Sequence, residues 1–171
     1  MKTPTLSNIT KTALLLTLGG LVIIALVTQL RSPQAPLDAS FTTIQGKLLQ
    51  LSALRGKPVL ITFWATDCPS CIKEIPDLIQ LYQRYHPQGF ESIAVSMYYD
   101  IPSHVVEMSQ HKQLPYPIAL DLTGTLARIF GNVQVTPTSF LLSPTGHIVQ
   151  RYTGVINMTD VATQLDIYLK G

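Results

Sequence analysis

Pro58-Val59-Leu60-Ile61-Thr62-Phe63-Trp64-Ala65-Thr66-Asp67-Cys68-Pro69-Ser70-Cys71 decides the fold and carries the only two cysteines of the 171-residue chain. Pro58 to Trp64 is a nearly continuous apolar run with β-branched and aromatic side chains, which predicts a strand buried on both faces. Downstream, Ile72, Ile75, Leu78, Ile79 and Tyr82 recur at helical spacing, so a helix is expected from about Pro69 to Tyr85. Pro76 lies inside it and is expected to kink it or weaken a hydrogen bond. Cys68 thus falls where a central strand ends and a helix begins. Unpaired backbone N–H groups and the positive end of the helix dipole favour a thiolate there, and Pro69 suits the first helical turn. Cys68 is the expected nucleophile. Cys71, one turn further on, is the thiol expected to resolve a mixed disulfide.

Two plainer readings of the pair are weaker. A purely structural disulfide would close a loop of four residues, and the stabilisation from a cross-link grows with loop length. A zinc site needs about four ligands, and no second C-x-x-C or close His pair supplies them. No metal and no cofactor are expected. His86, His104, His111 and His147 read as solvated polar positions, and Tyr98 and Tyr99 either line a groove beside the cysteines or pack within a loop.

Working outward, residues 1–12 form a short polar segment with Lys2 and Lys11, and residues 13–30 are apolar apart from Thr17, Thr28 and Gln29. At ~1.5 Å per residue this stretch reaches about 27 Å, close to the hydrocarbon thickness of a bilayer. A transmembrane anchor is expected, with the basic N-terminus in the cytoplasm and the remainder exported. A cleaved signal peptide would need a shorter apolar core and an A-x-A-like site, which Gln29 to Pro33 does not offer cleanly. Residues 31–40, with Pro33 and Pro36, read as a linker, leaving residues 41–171 for one domain. Net charge is only +2 and the basic residues are scattered, so no nucleic-acid footprint is present.

Within the domain, Phe41 to Ile44 and Lys47 to Leu51 flank Gln45-Gly46 as a hairpin, and Ser52 to Lys57 turns into the buried strand. Phe90 to Met97 is a second apolar strand. A helix follows to about Lys112, then a short strand at Pro117 to Leu120. A further helix begins at Thr123-Gly124 and ends before Gly131-Asn132. Thr138 to Ser143 and His147 to Tyr152 read as strands joined at Pro144-Thr145-Gly146, and Asn157 or Thr159 caps a last helix to Lys170. This order implies an α/β domain whose mixed sheet is covered on both faces.

Phe63-Trp64-Ala65-x-x-Cys-x-x-Cys, with Thr136-Pro137-Thr138 about 65 residues further on, resembles the thioredoxin superfamily. Together with the Gly56-Lys57-Pro58 approach and the N-terminal apolar segment, it is most similar to the membrane-anchored TlpA-like and ResA-like oxidoreductases. The resemblance implies a thioredoxin fold, with a central mixed β-sheet flanked by helices, and a transmembrane helix ahead of it. It implies a periplasmic thiol-disulfide oxidoreductase in the bacterial inner membrane, acting on protein disulfides through Cys68 and Cys71, and an involvement in cytochrome c maturation. The electron donor implied is a transmembrane thiol transporter of the DsbD or CcdA type.

The same resemblance implies a cis Thr136–Pro137 bond beside the cysteines, with Thr136, Pro137, Trp64 and Asp67 contacting substrate. It also implies that Glu74 assists proton transfer, and a helical position three residues after Cys71 puts Glu74 about one turn on. Thr62 occupies the place of the buried Asp of ordinary thioredoxins and cannot do acid–base work at neutral pH. Asp67 is the main departure, because many relatives have Trp there. Its charge opposes a thiolate at Cys68 while the helix terminus favours one, although Asp also simply suits the start of a helix. Two other functions remain open at this level: a disulfide oxidase, and a Cu(I)-binding metallochaperone using both thiolates.

Overall fold

Strand β3 (Val59–Trp64) has all of its residues buried and lies at the centre of a five-stranded sheet. The computed structural model describes residues 19–20 and 35–170. Successive residues of a strand point to opposite faces, so a strand buried along its whole length needs a core on each side. Leu60 and Trp64 enter one cluster with Leu78, Tyr82 and Tyr85, while Val59, Ile61 and Phe63 enter another with Phe41, Phe130 and Phe140.

Helix α1 (Pro69–Tyr85) carries the chain from β3 to β4 (Glu91–Ser96), which pairs parallel with β3. Helix α2 (Pro102–His111) then leads to β5 (Ile118–Leu120), parallel to β4 at the sheet edge. A short helix α3 (Thr125–Ile129) precedes β6 (Thr138–Leu142), antiparallel to β3, and β7 (Ile148–Thr153) closes the other edge. Helix α4 (Met158–Lys170) packs beside α1, where Tyr85 donates to Asp166 Oδ1 at 3.0 Å. The spatial order β5-β4-β3-β6-β7 is a mixed sheet with helices on its faces, as the alternation of elements predicts. Ahead of it, β1 (Ser40–Thr42) and β2 (Leu48–Gln50) form the expected hairpin around Gly46.

Several boundaries differ from expectation, each for a local reason. Asp121 is buried, and its carboxylate accepts from the N–H groups of Leu126 and Ala127 at 3.0 and 2.8 Å, so α3 begins later than Thr123. Pro76 sits within α1 as expected, and the helix continues through it to Tyr85, with buried residues on both sides of the proline. Segment 35–40, expected as part of a linker, belongs to the domain. Ala35 and Ala39 are buried, and the Ala35 N–H donates to the Gly146 carbonyl at 3.1 Å. Gly146 has φ +84, a conformation that favours glycine, and a Cβ there would push the Leu37 side chain aside from 2.7 Å. The expected span at 13–30 lies outside the described residues except for Gly19 and Gly20, which are helical. Among the described residues no helix is long and apolar enough to cross a membrane.

The lower core is an aromatic cluster in which Phe130 lies 6.3 Å from Phe41, 5.7 Å from Phe63 and 5.5 Å from Phe140 between ring centroids. Phe130→Ala is expected to destabilise the domain by about 3–5 kcal/mol, from lost burial plus the cavity left behind. Denaturant unfolding checks this as a lower midpoint at unchanged slope.

Candidate active site

The chain leaves β3 at Trp64 and turns immediately: the Cys68 N–H donates to the Ala65 carbonyl at 3.3 Å. Cys68 is thereby the N-cap of α1, with Pro69 in the first turn. Its sulfur accepts from the Cys71 N–H at 3.2 Å, one of the donors that a helix start leaves unpaired. Ser70 Oγ lies 3.4 Å from the same sulfur. Cys68 and Cys71 are joined as a disulfide with their Cα atoms 5.3 Å apart. Cys68 is 8% exposed and Cys71 3%, so Cys68 is the more accessible of the two. On reduction, the helix terminus and the Cys71 N–H favour a negative charge on the Cys68 sulfur.

Glu74 is only 2% exposed, one turn along the buried face of α1. Its Oε1 accepts from the Ile156 N–H at 2.5 Å, a contact between residues 82 positions apart in sequence. Burial holds the Glu74 carboxyl above the usual glutamate range, the Ile156 N–H pulls it back, and the Asp77 charge pushes it further up. A small cavity of about 10 Å³ is lined by Cys71, Glu74, Thr62, Trp64 and Tyr116 among others. The Tyr116 phenol is pushed up by burial and then by the Glu74 charge. Thr62 is buried in this wall, and its Oγ1 accepts from the Ser139 hydroxyl at 2.9 Å. A carboxyl held above its usual range therefore shares a cavity with Cys71, an arrangement that suits transfer of a proton to or from a thiol.

The Thr136–Pro137 peptide is cis. Because Thr138 pairs with Phe63 in the antiparallel β3–β6 ladder, Thr136 and Pro137 fall beside Trp64 and Ala65, at the end of the sheet that carries the disulfide. The Pro137 carbonyl accepts from the Gly154 N–H at 2.8 Å, whereas Thr136 has no backbone partner among the described residues. Asp67 is exposed next to Cys68. Trp64, expected at the substrate-contacting surface, is 4% exposed and lines the internal cavity. The inward face of a doubly covered strand dictates this. The Trp64 Nε1–H is the one buried side-chain polar group without a hydrogen-bond partner among the described residues.

Sequence reasoning missed Tyr116, the Ile156 N–H and Asp100, whose carboxylate holds Thr66 two residues before Cys68. No spacing rule links residues 34 or 82 positions apart. Tyr98 and Tyr99 are exposed on the loop after β4, with ring centroids 5.4 Å apart. They belong to a wider pattern: of the nine large apolar side chains exposed among the described residues, Tyr98, Tyr99, Ile101, Leu122, Val135 and Val155 all follow strand ends or flank Thr136–Pro137 at the disulfide end of the sheet. Among the described residues no group of three or more His, Cys, Asp and Glu side chains is arranged to hold a metal ion.

A sequence profile of the Redoxin family matches residues 32–165. The chain is similar to the thiol-disulfide oxidoreductase ResA of Bacillus anthracis, 33% identical over 129 residues, covering 75% of this chain and 71% of that one. It is similar in the same way to ResA of Geobacillus kaustophilus, 33% identical over 130 residues, covering 75% and 73%. Among solved structures, the thiol:disulfide interchange protein of the thioredoxin family from Chlorobium tepidum superposes with a TM-score of 0.73 at 27% identity, covering 81% of this chain and 97% of that one. StoA from Bacillus subtilis gives 0.65 at 25% identity, covering 77% and 98%. The sheet and its flanking helices are those of the thioredoxin fold.

The raised pKa of Glu74 has a fixed sign in stability. A carboxyl whose folded pKa lies above its unfolded value stabilises fully below the unfolded value and loses that contribution as pH rises through the folded one. Glu74→Gln, which keeps an acceptor for the Ile156 N–H, is therefore expected to gain stability relative to the wild type as pH rises above the usual glutamate range. Thermal unfolding of both proteins from acid to mildly alkaline pH checks this, and a gap that does not change with pH contradicts it.

Proposed function

From the premise that the chain belongs to the Redoxin family, we propose that its thiol-disulfide oxidoreductase activity runs reductively on protein disulfides outside the cytoplasm. The observation that carries this reading is the Cys68–Cys71 pair at the start of α1, with Cys68 the more exposed residue and the Cys71 N–H donating to its sulfur. In the proposed turnover the Cys68 thiolate attacks one sulfur of a substrate disulfide. That bond breaks, a mixed disulfide forms, and the departing substrate sulfur leaves as a thiolate that takes up a proton. Cys71 gives up its proton and attacks the Cys68 sulfur. The Cys68–Cys71 bond forms and the second substrate sulfur departs. Two electrons have passed to the substrate, and the enzyme is left in the disulfide form.

Glu74 is the proposed proton acceptor and donor for Cys71, supported by their common cavity and by a carboxyl that burial raises above the usual glutamate range. Thr136 and Pro137 are the proposed docking edge for an extended substrate segment, supported by their position beside β3 and by the unpaired backbone of Thr136. The exposed apolar residues at this end suit polypeptide substrates, and exposed Asp67 adds a charge next to Cys68. Residues 13–30 are the proposed membrane anchor, supported by their length and hydropathy. A reductase on the oxidising side of a membrane requires a dithiol donor, for which a transmembrane thiol transporter of the DsbD or CcdA type is proposed. Apocytochrome c or its maturation factors, or a copper-site assembly protein, are the proposed substrates.

Cys68→Ser is expected to abolish reduction of a protein disulfide such as insulin. Cys71→Ser is expected to accumulate a mixed disulfide through Cys68, visible as a higher-mass species that dithiothreitol removes. Unchanged turnover in Cys68→Ser contradicts the assigned nucleophile. Equilibration with a thiol redox buffer is expected to give a potential below about −200 mV, and a value at the oxidising end of the family would reverse the proposed direction.

A further inference from the structure

The loop after β4 and the turn before Cys68 are joined by a single side chain. Asp100 Oδ2 accepts from the Thr66 N–H at 2.7 Å, and Asp100 Oδ1 accepts from the Thr66 hydroxyl at 2.6 Å. Both loops are themselves tight turns: the Cys68 N–H donates to the Ala65 carbonyl at 3.3 Å, and the Asp100 N–H to the Met97 carbonyl at 3.0 Å. The Met97 N–H donates to the Trp64 carbonyl at 3.0 Å, so the two strand ends are already in register where the turns begin. Thr66 is the first central residue of the turn that ends on Cys68, and Asp100 takes both of its donors.

We propose that Asp100 is a positioning residue for Cys68, fixing through Thr66 the turn that sets the Cys68 sulfur at the start of α1. The proposal rests on Cys68 being the nucleophile. Without the carboxylate, the Thr66 N–H and hydroxyl turn to water and the Ala65–Cys68 turn is held only by its own hydrogen bond. The sulfur then loses its fixed relation to the Cys71 N–H. Carboxylate acceptors make the stronger, shorter class of hydrogen bond, and a bidentate grip on one residue sets orientation as well as distance. The charge itself works the other way. A carboxylate on this loop, added to exposed Asp67, opposes a thiolate at Cys68. What Asp100 contributes to exchange therefore comes through geometry.

Substitutions separate the two effects. Asp100→Asn removes the charge but keeps both contacts, because the amide oxygen accepts from the Thr66 N–H while its NH₂ donates to the rotatable hydroxyl. Asp100→Ala removes both contacts, and Thr66→Val removes one. The full-length reduced protein, kept in mild detergent, is assayed for its rate constant with a protein disulfide and for alkylation of Cys68 by iodoacetamide. Misplacing a reacting atom by about 1 Å costs up to 10²-fold in rate. On that scale Asp100→Ala is expected to slow both reactions ~10-fold and Thr66→Val ~3-fold, with Asp100→Asn as fast as the wild type or faster. Wild-type rates in Asp100→Ala overturn the proposal even if its melting temperature falls, as does an Asp100→Asn as slow as Asp100→Ala. Should Asp100→Ala not fold, Thr66→Val against Asp100→Asn decides: equal rates overturn the proposal, and a slower Thr66→Val supports it. Cys68→Ser in the same assay keeps the failures apart, since activity there defeats the nucleophile assignment, whereas an inactive Cys68→Ser beside an undisturbed Asp100→Ala defeats only the positioning role.

Discussion

The hydrogen bond from the Cys71 N–H to the Cys68 sulfur, made where α1 leaves the sheet, is the contact around which the molecule is arranged. It needs a helix that starts at Cys68 and a strand that ends a few residues earlier. Burial of β3 on both faces supplies the second condition, because Leu60 and Trp64 are committed to one core and Ile61 and Phe63 to the other. A one-residue slip of β3 would exchange those sets and carry the cysteines out of register with the Thr136–Pro137 edge. Hydrophobic packing along β3 thus fixes where the sulfur atoms stand.

Glu74 shows the opposite economy, since a carboxyl among apolar side chains is destabilising unless it is neutral or well bonded. The single N–H of Ile156 only partly offsets the loss of water, and the result is an acid held above its usual range. It lines the same small cavity as Thr62, Trp64 and Cys71, and Cys68 is not among that cavity's lining residues. The two cysteines consequently occupy different environments: Cys68 caps the helix terminus, and Cys71 lines a cavity with a buried acid.

The surface around the pair divides along similar lines. Most exposed apolar bulk of the described residues collects at this end of the sheet, where it would otherwise be a liability in water. Asp67 and Asp100 set two carboxylates into the same end, one free in solvent and one tied to Thr66. Charge and geometry therefore act on Cys68 in opposite senses, with the helix terminus and the fixed turn favouring reaction and the carboxylates restraining it.

Periodicity and composition alone determined the buried central strand, the helix after it, the α/β order of elements and the dithiol at their junction. Each of these follows from neighbours in sequence: alternation for strands, three-to-four spacing for helices, and C-x-x-C for the thiols. The resemblance added the cis bond at Pro137 and the interest in Glu74. Tertiary structure alone decided that Glu74 is buried against Ile156, that Trp64 is core and not surface, that segment 35–40 packs into the domain, and that Asp100 grips Thr66. Those facts join residues distant along the chain, and such pairings depend on how whole faces of the sheet are covered, which no local pattern encodes.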